Sequence, residues 1–196
     1  MNNQSIKIKS LRRLWQGRSL SVNAITYTDI DGTTHTREFI SPHGTKNDPR
    51  PVKLDTFGQR QSAVMALAFT PGRKRLLITK RFRPAAGKYV YDLPGCYFPY
   101  QFTQAEAAEL ELWRQADNVD TSMLRVMPSG YIDPDTSDAR SGFVLFEIPE
   151  NIKLKTHEVD HEKIKPMLVT PEELQKIIEE KPATMILHAL AMTWSP

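Results

Sequence analysis

Residues 20–27 and 33–40 are rich in β-forming side chains, and Asp31-Gly32 between them is a tight-turn pair. That pattern predicts a β-hairpin. Residues 41–60 hold Pro42, Gly44, Asn47, Asp48, Pro49, Pro51 and Gly58 and read as a loop. The apolar run Ala63–Phe69 follows, then a Pro71-Gly72 turn and a second strand over residues 75–82, which Pro84 ends. Thr103 with Glu106 forms a capping box that opens a helix reaching residue 116, and Asp117-Asn118 stops it. Residues 141–148 and 164–169 read as strands. Thr170-Pro171-Glu172-Glu173 starts a second capped helix with proline at its first position. Lys181-Pro182 interrupts it before a last helical stretch over residues 183–194. Strands and helices interleave without a regular βαβ rhythm or an internal repeat. The expected class is therefore a mixed-sheet α/β or α+β domain.

Composition narrows the function classes. The longest apolar run is seven residues, whereas a membrane-spanning helix needs about 20, so no membrane partner is expected. A net charge of +3 is too small to suggest a nucleic-acid partner. The one basic concentration is Lys7, Lys9, Arg12, Arg13 and Arg18, ahead of the first acid, Asp29. Alternation continues through it, which favours a solvated strand and turn; an organellar transit segment is the alternative. A single Cys96 excludes an intramolecular disulfide framework, and a reducing, cytoplasmic setting is expected. The chain divides into an N-terminal hairpin extension and loop over residues 1–58 and a main domain over residues 59–196.

Common sites fail on spacing. Asp133-x-Asp135-x-Ser137 begins like a calcium loop, but Asp138 stands where glycine is needed and Val144 where a bidentate glutamate is needed. His157 and His161 are four apart but lie among Glu158, Asp160 and Glu162, which reads as a solvated acidic loop. No glycine-rich phosphate loop and no nucleophile elbow occurs.

One ordered set of segments carries more. Leu76-Leu77-Ile78-Thr79-Lys80-Arg81-Phe82-Arg83-Pro84 leads through Tyr91-Asp92-Leu93-Pro94-Gly95 into Ala107-Ala108-Glu109-Leu110-Glu111-Leu112. This resembles the Nudix hydrolases, and within them the ADP-ribose and ADP-sugar pyrophosphatases. Gly17-Arg18, Arg37-Glu38, Tyr131 with Asp133-Pro134, and Asp160 with Glu162 fall in family-like places, so the resemblance spans most of the chain. It implies a Nudix fold, a mixed β-sheet sandwiched between helices with the N-terminal hairpin appended. It also implies a homodimer that uses the hairpin, and a nucleoside-diphosphate-sugar ligand.

The catalytic box of that family is largely lost. Aligned on Ala107-Ala108, its opening glycine falls on Cys96, its first glutamate on Phe102 and its arginine on Leu110. Glu111 keeps the next glutamate, but the paired glutamates one turn later are Arg114 and Gln115, and the closing glycine is Asp117. Residues 111, 114 and 115 share one helix face, which in active members gathers carboxylates around magnesium. Here one carboxylate stands beside a permanent cation. At an effective dielectric of ~20 and about 4 Å, Arg114 would cost a magnesium ion several kcal/mol before screening. A surface-type pairing of Arg114 with Glu111 is expected instead.

The resemblance further assigns Glu162 to an acidic loop residue that assists catalysis, Arg83 to the ligand phosphates and Asp133 to the substrate loop. A solvated glutamate beside Lys163 and a strand-end basic residue are the plainer readings of the first two. Ser19 and Arg37 stand nearest the family's adenine clamp and form no aromatic one. Trp15 and Trp113 are expected to be packing residues. The reading favoured is a degenerate ADP-sugar pyrophosphatase retained for binding, regulation or structure, needing no cofactor. Two rivals stay open. One is a working, magnesium-dependent hydrolase with a rearranged site drawn from Glu111, Glu162, Asp133 and Asp135. The other is a metal-independent binder that holds a pyrophosphate with Arg114.

Overall fold

A computed structural model of the chain describes residues 6–54, 60–97, 102–117, 121–159 and 162–194. It divides into two compact units, Met1–Ala63 with Ser129–Ser141, and Val64–Pro128 with Gly142–Pro196.

The first unit is built on an antiparallel sheet of β1 (Lys7–Gln16), β2 (Ser21–Thr28) and β3 (Thr34–Ser41), in that order. β2 and β3 are the predicted hairpin. Asp29 Oδ1 accepts from the backbone N–H groups of Asp31 and Thr33, and Gly32 takes φ 85°, a conformation that favours glycine. The basic N-terminal stretch is β1, a largely exposed third strand that extends the hairpin. Residues 129–141 join this unit. The Ile40 N–H donates to Thr136 O at 2.9 Å, and Gly130 and Tyr131 pair with Ser141 and Arg140.

The second unit carries β4 (Ala63–Phe69), β5 (Leu76–Arg83), β6 (Lys88–Asp92), β7 (Gly95–Tyr97), α1 (Gln104–Gln115) and β8 (Ser122–Val126). After β9 (Gly130–Tyr131) come β10 (Arg140–Glu147), β11 (His157–Val159), β12 (Glu162–Val169), α2 (Pro171–Glu180) and α3 (Met185–Thr193). The main sheet runs β11-β12-β5-β4-β10-β8. Ser62 N–H donates to Arg140 O where β4 and β10 begin, and Ile148 N–H to Phe69 O where they end. Like ends are therefore adjacent and these two strands run parallel, within a sheet whose β5–β12 and β8–β10 pairs are antiparallel.

Period-two alternation divides this sheet's residues between two cores. Val64, Ala66, Ala68, Leu77, Val144 and Phe146 pack with Ala107, Ala108 and Leu112 of α1. Phe69, Leu76, Ile78 and Val169 pack with Leu174 of α2 and Leu187 of α3. The sheet is sandwiched between helices, as expected.

Several local expectations are corrected. His157 lies in β11, not in a loop, and Glu162 opens β12, paired through its backbone with Val159. β6, β7 and β8 are additional strands; β8 is exposed along its whole length and offers no alternating pattern to read. Trp15 and Trp113 do not fill a core, being 57% and 51% exposed.

Candidate active-site face

α1 positions the residues that matter. Thr103 Oγ1 accepts from the Glu106 N–H at 3.2 Å, and Glu106 Oε2 accepts from the Thr103 N–H at 2.7 Å, so the predicted capping box is complete. With Ala107, Ala108 and Leu112 turned into the core, the face of Glu111, Arg114 and Gln115 is fixed. That face is less open than the sequence suggests. Glu111 is 4% exposed and Gln115 is fully buried.

Both oxygens of Glu111 are engaged. Gln115 Nε2 donates to Oε1 at 2.8 Å, and Arg114 Nη1 donates to Oε2 at 3.3 Å. The Arg114 pairing, expected to be of surface type, is thus made to a buried carboxylate by a half-exposed guanidinium. Burial pushes the Glu111 carboxyl above its usual range, opposed by the charge of Arg114 and the bond from Gln115. The Arg81 guanidinium on β5 adds positive potential at Glu111 and also at His157. Burial, then Arg114 and Lys155, hold His157 below the ordinary histidine value. No group of three or more metal-binding side chains occurs among the described residues.

Cys96 donates weakly to Ala107 O at 3.9 Å. Burial and the neighbouring Glu111 raise its thiol to about 11. Native protein at pH 8 is therefore expected to react with a disulfide reagent far more slowly than protein unfolded in urea. Rapid, stoichiometric labelling of the native protein would contradict this placement.

The remaining sequence candidates scatter. Arg83, at the end of β5, donates from Nη2 to Asp92 Oδ2 at 2.7 Å, and Arg81 approaches the same oxygen at 4.0 Å. Asp92 is buried and also accepts from Thr184 Oγ1 and from the Leu93 N–H, each at 2.9 Å. Sequence reasoning missed Asp92; its one signal was an acid set between Tyr91 and Leu93 in an otherwise apolar stretch. Asp133 belongs to the first unit, where it forms a turn: its backbone oxygen accepts from Ser137 and its carboxylate from the Thr136 hydroxyl. Asp135 is exposed in the same turn. Ser19 Oγ accepts from Asn47, while Arg37 lies in β3 opposite Ile25. Phe102 packs against the α1 core.

This chain is similar to the crystal structure of an ADP compounds hydrolase, with a TM-score of 0.63 over 92% of this chain and 86% of that one. The chain has a Nudix-type fold. Identity between the two is 14%, so the likeness is one of fold. No family profile matches the chain, and no curated protein is similar to it in sequence. No helix among the described residues is long and apolar enough to cross a membrane.

Proposed function

We propose that this Nudix-fold chain is a catalytically degenerate counterpart of the ADP-sugar pyrophosphatases, binding a nucleoside-diphosphate-linked ligand without hydrolysing it. The engagement of Glu111 carries this reading: both of its oxygens accept hydrogen bonds from Gln115 and Arg114, where a magnesium site needs free carboxylates. Arg114, with its side chain 43% exposed, supplies a charge of the sign that a diphosphate seeks. Arg81 reinforces that potential, while Arg83 is held on Asp92. The expected assembly is a homodimer formed through the N-terminal sheet, with Asp133 and Glu162 keeping the family's acidic positions without their catalytic duty.

Calorimetric titration with ADP-ribose, with and without chelator, tests the reading. Affinity is expected to be unchanged by chelator, with no AMP released on long incubation with Mg²⁺ or Mn²⁺. Arg114→Ala should weaken binding by about tenfold, the loss of one charge-assisted bond. Metal-dependent cleavage by the unmutated protein would show instead a rearranged, working site.

A further inference from the structure

The face of the main sheet turned away from Arg81 and Arg83 carries a concentration of charge that the proposed function does not use. Alternation along β5 points Lys80 and Phe82 away from the side on which Arg81 and Arg83 approach Asp92. Antiparallel pairing sets Lys165 of β12 directly opposite Lys80 on one side, and Tyr91 of β6 opposite it on the other. Phe82 and Tyr89 form the next pair on this face. Exposure rises along it, from the fully buried Ile78 to Phe82 at 36% and Tyr89 at 53%. The helices α2 and α3 thus cover one end of this face and leave the other open to solvent.

The open end holds groups that the fold itself leaves unanswered. Like charges directly opposite each other in a sheet are destabilising. Yet neither Lys80 nor Lys165 has a carboxylate partner among the described residues. Lys80 is steadied by rings instead, its Nζ lying 5.4 Å from the Tyr89 centroid and 5.5 Å from that of Tyr91. Lys163, two residues further along the same face of β12, is exposed and has Glu158 opposite it in β11. Phe82 and Tyr89 stand 5.6 Å apart with their planes inclined at 68°, so two large rings meet solvent beside two unpaired ammonium groups.

We infer that this end of the sheet is a platform for single-stranded nucleic acid, with Lys80 and Lys165 on phosphates and Phe82 and Tyr89 stacked against bases. Phosphates answer the lysines and bases answer the rings; an apolar peptide would answer only the second. The face is open and not enclosed, which suits an extended strand. A net charge of +3 argues against such a partner only when the charge is evenly spread. Beyond Tyr91 and Met167 lies a groove of about 330 Å³ in which Lys176 and Lys181 are balanced by Glu173 and Glu180. The uncompensated charge therefore stops at Lys80 and Lys165, and the footprint is short.

Fluorescence anisotropy of the full chain with a labelled single-stranded RNA of about eight nucleotides, and with DNA of the same sequence, tests this. The wild type should bind with a Kd of about 1–100 µM near physiological salt, and binding of either strand supports the platform. Lys80→Ala and Lys165→Ala should each weaken binding and flatten the slope of log affinity against log salt by about 0.7, the loss of one phosphate contact. Phe82→Ala should weaken binding about tenfold with the salt slope unchanged. Lys153→Ala, which removes an exposed lysine outside the patch, should match the wild type. Should Phe82→Ala not fold, Phe82→Leu keeps apolar bulk, removes the stacking ring and carries the same expectation. Absence of wild-type binding to both strands overturns the platform. So do lysine variants that match Lys153→Ala, or a folded Phe82 variant that binds as tightly as the wild type while inorganic polyphosphate displaces the strand.

Discussion

Replacing Gln115 with glutamate is expected to destabilise the protein by about 3–5 kcal/mol at neutral pH, the range for an uncompensated charge in an interior. Such a change would look harmless on an open helix face. Gln115 is instead fully buried, its Nε2 is 2.8 Å from Glu111 Oε1, and its backbone oxygen accepts from Lys155. A carboxylate at that position faces another carboxylate already raised by burial. The pair will retain a proton, so the loss should shrink as pH falls. The sign follows from linkage: a raised carboxyl contributes stability at low pH that disappears as pH climbs through its folded-state value. Urea midpoints at pH 5 and 7 measure this directly. Adding Arg114→Glu removes the competing cation and places three carboxylates on one face. Mg²⁺ should then raise the midpoint of the double variant by mass action and leave the wild type unchanged. Wild-type stability in Gln115→Glu at pH 7 would mean that this helix face is not packed.

What was legible in the sequence was what depends on near neighbours. Both capping boxes, at Thr103 and Thr170, close within three residues and formed as read. The Asp31-Gly32 hairpin and the Ala63–Phe69 strand are equally local. What could not be read depends on pairing across the chain. Arg83 meets Asp92 because β5 and β6 pair with Phe82 opposite Tyr89 and Thr79 opposite Asp92, a register no single segment encodes. The Ser41–Asp138 bond joins residues 97 apart. Glu111 and Gln115, spaced as a solvated helix pair, are covered because elements far along the chain close over α1: Lys155 bonds the Gln115 carbonyl and Ala116 bridges Leu154. Edge strands such as β8 and β11 have too little buried face to impose a pattern.

Asp92→Ala is expected to be among the most damaging single changes, at about 3–5 kcal/mol, because it leaves charge and donors uncompensated. Asp92 accepts from Arg83, Thr184 Oγ1 and the Leu93 N–H, with Arg81 close by. Without it, Arg83 loses the carboxylate it pairs with at 2.7 Å, and a tie from β6 to the start of α3 is lost. Arg83→Ala should cost less, about 1 kcal/mol, since its side chain is 35% exposed and water screens its share of the pairing. Asp92→Asn keeps an acceptor for Thr184 and Leu93 but loses the charge, and should fall between the two. Thermal and urea unfolding of the three variants orders them. The same proteins separate an anchoring arginine from a ligand-binding one. If Arg83 serves chiefly to hold Asp92, Arg83→Ala lowers the unfolding midpoint while ADP-ribose affinity at a temperature well below that midpoint stays at the wild-type value. A drop in affinity of about tenfold, worth 1.4 kcal/mol, with an unchanged midpoint would show that Arg83 leaves Asp92 to meet the ligand phosphates.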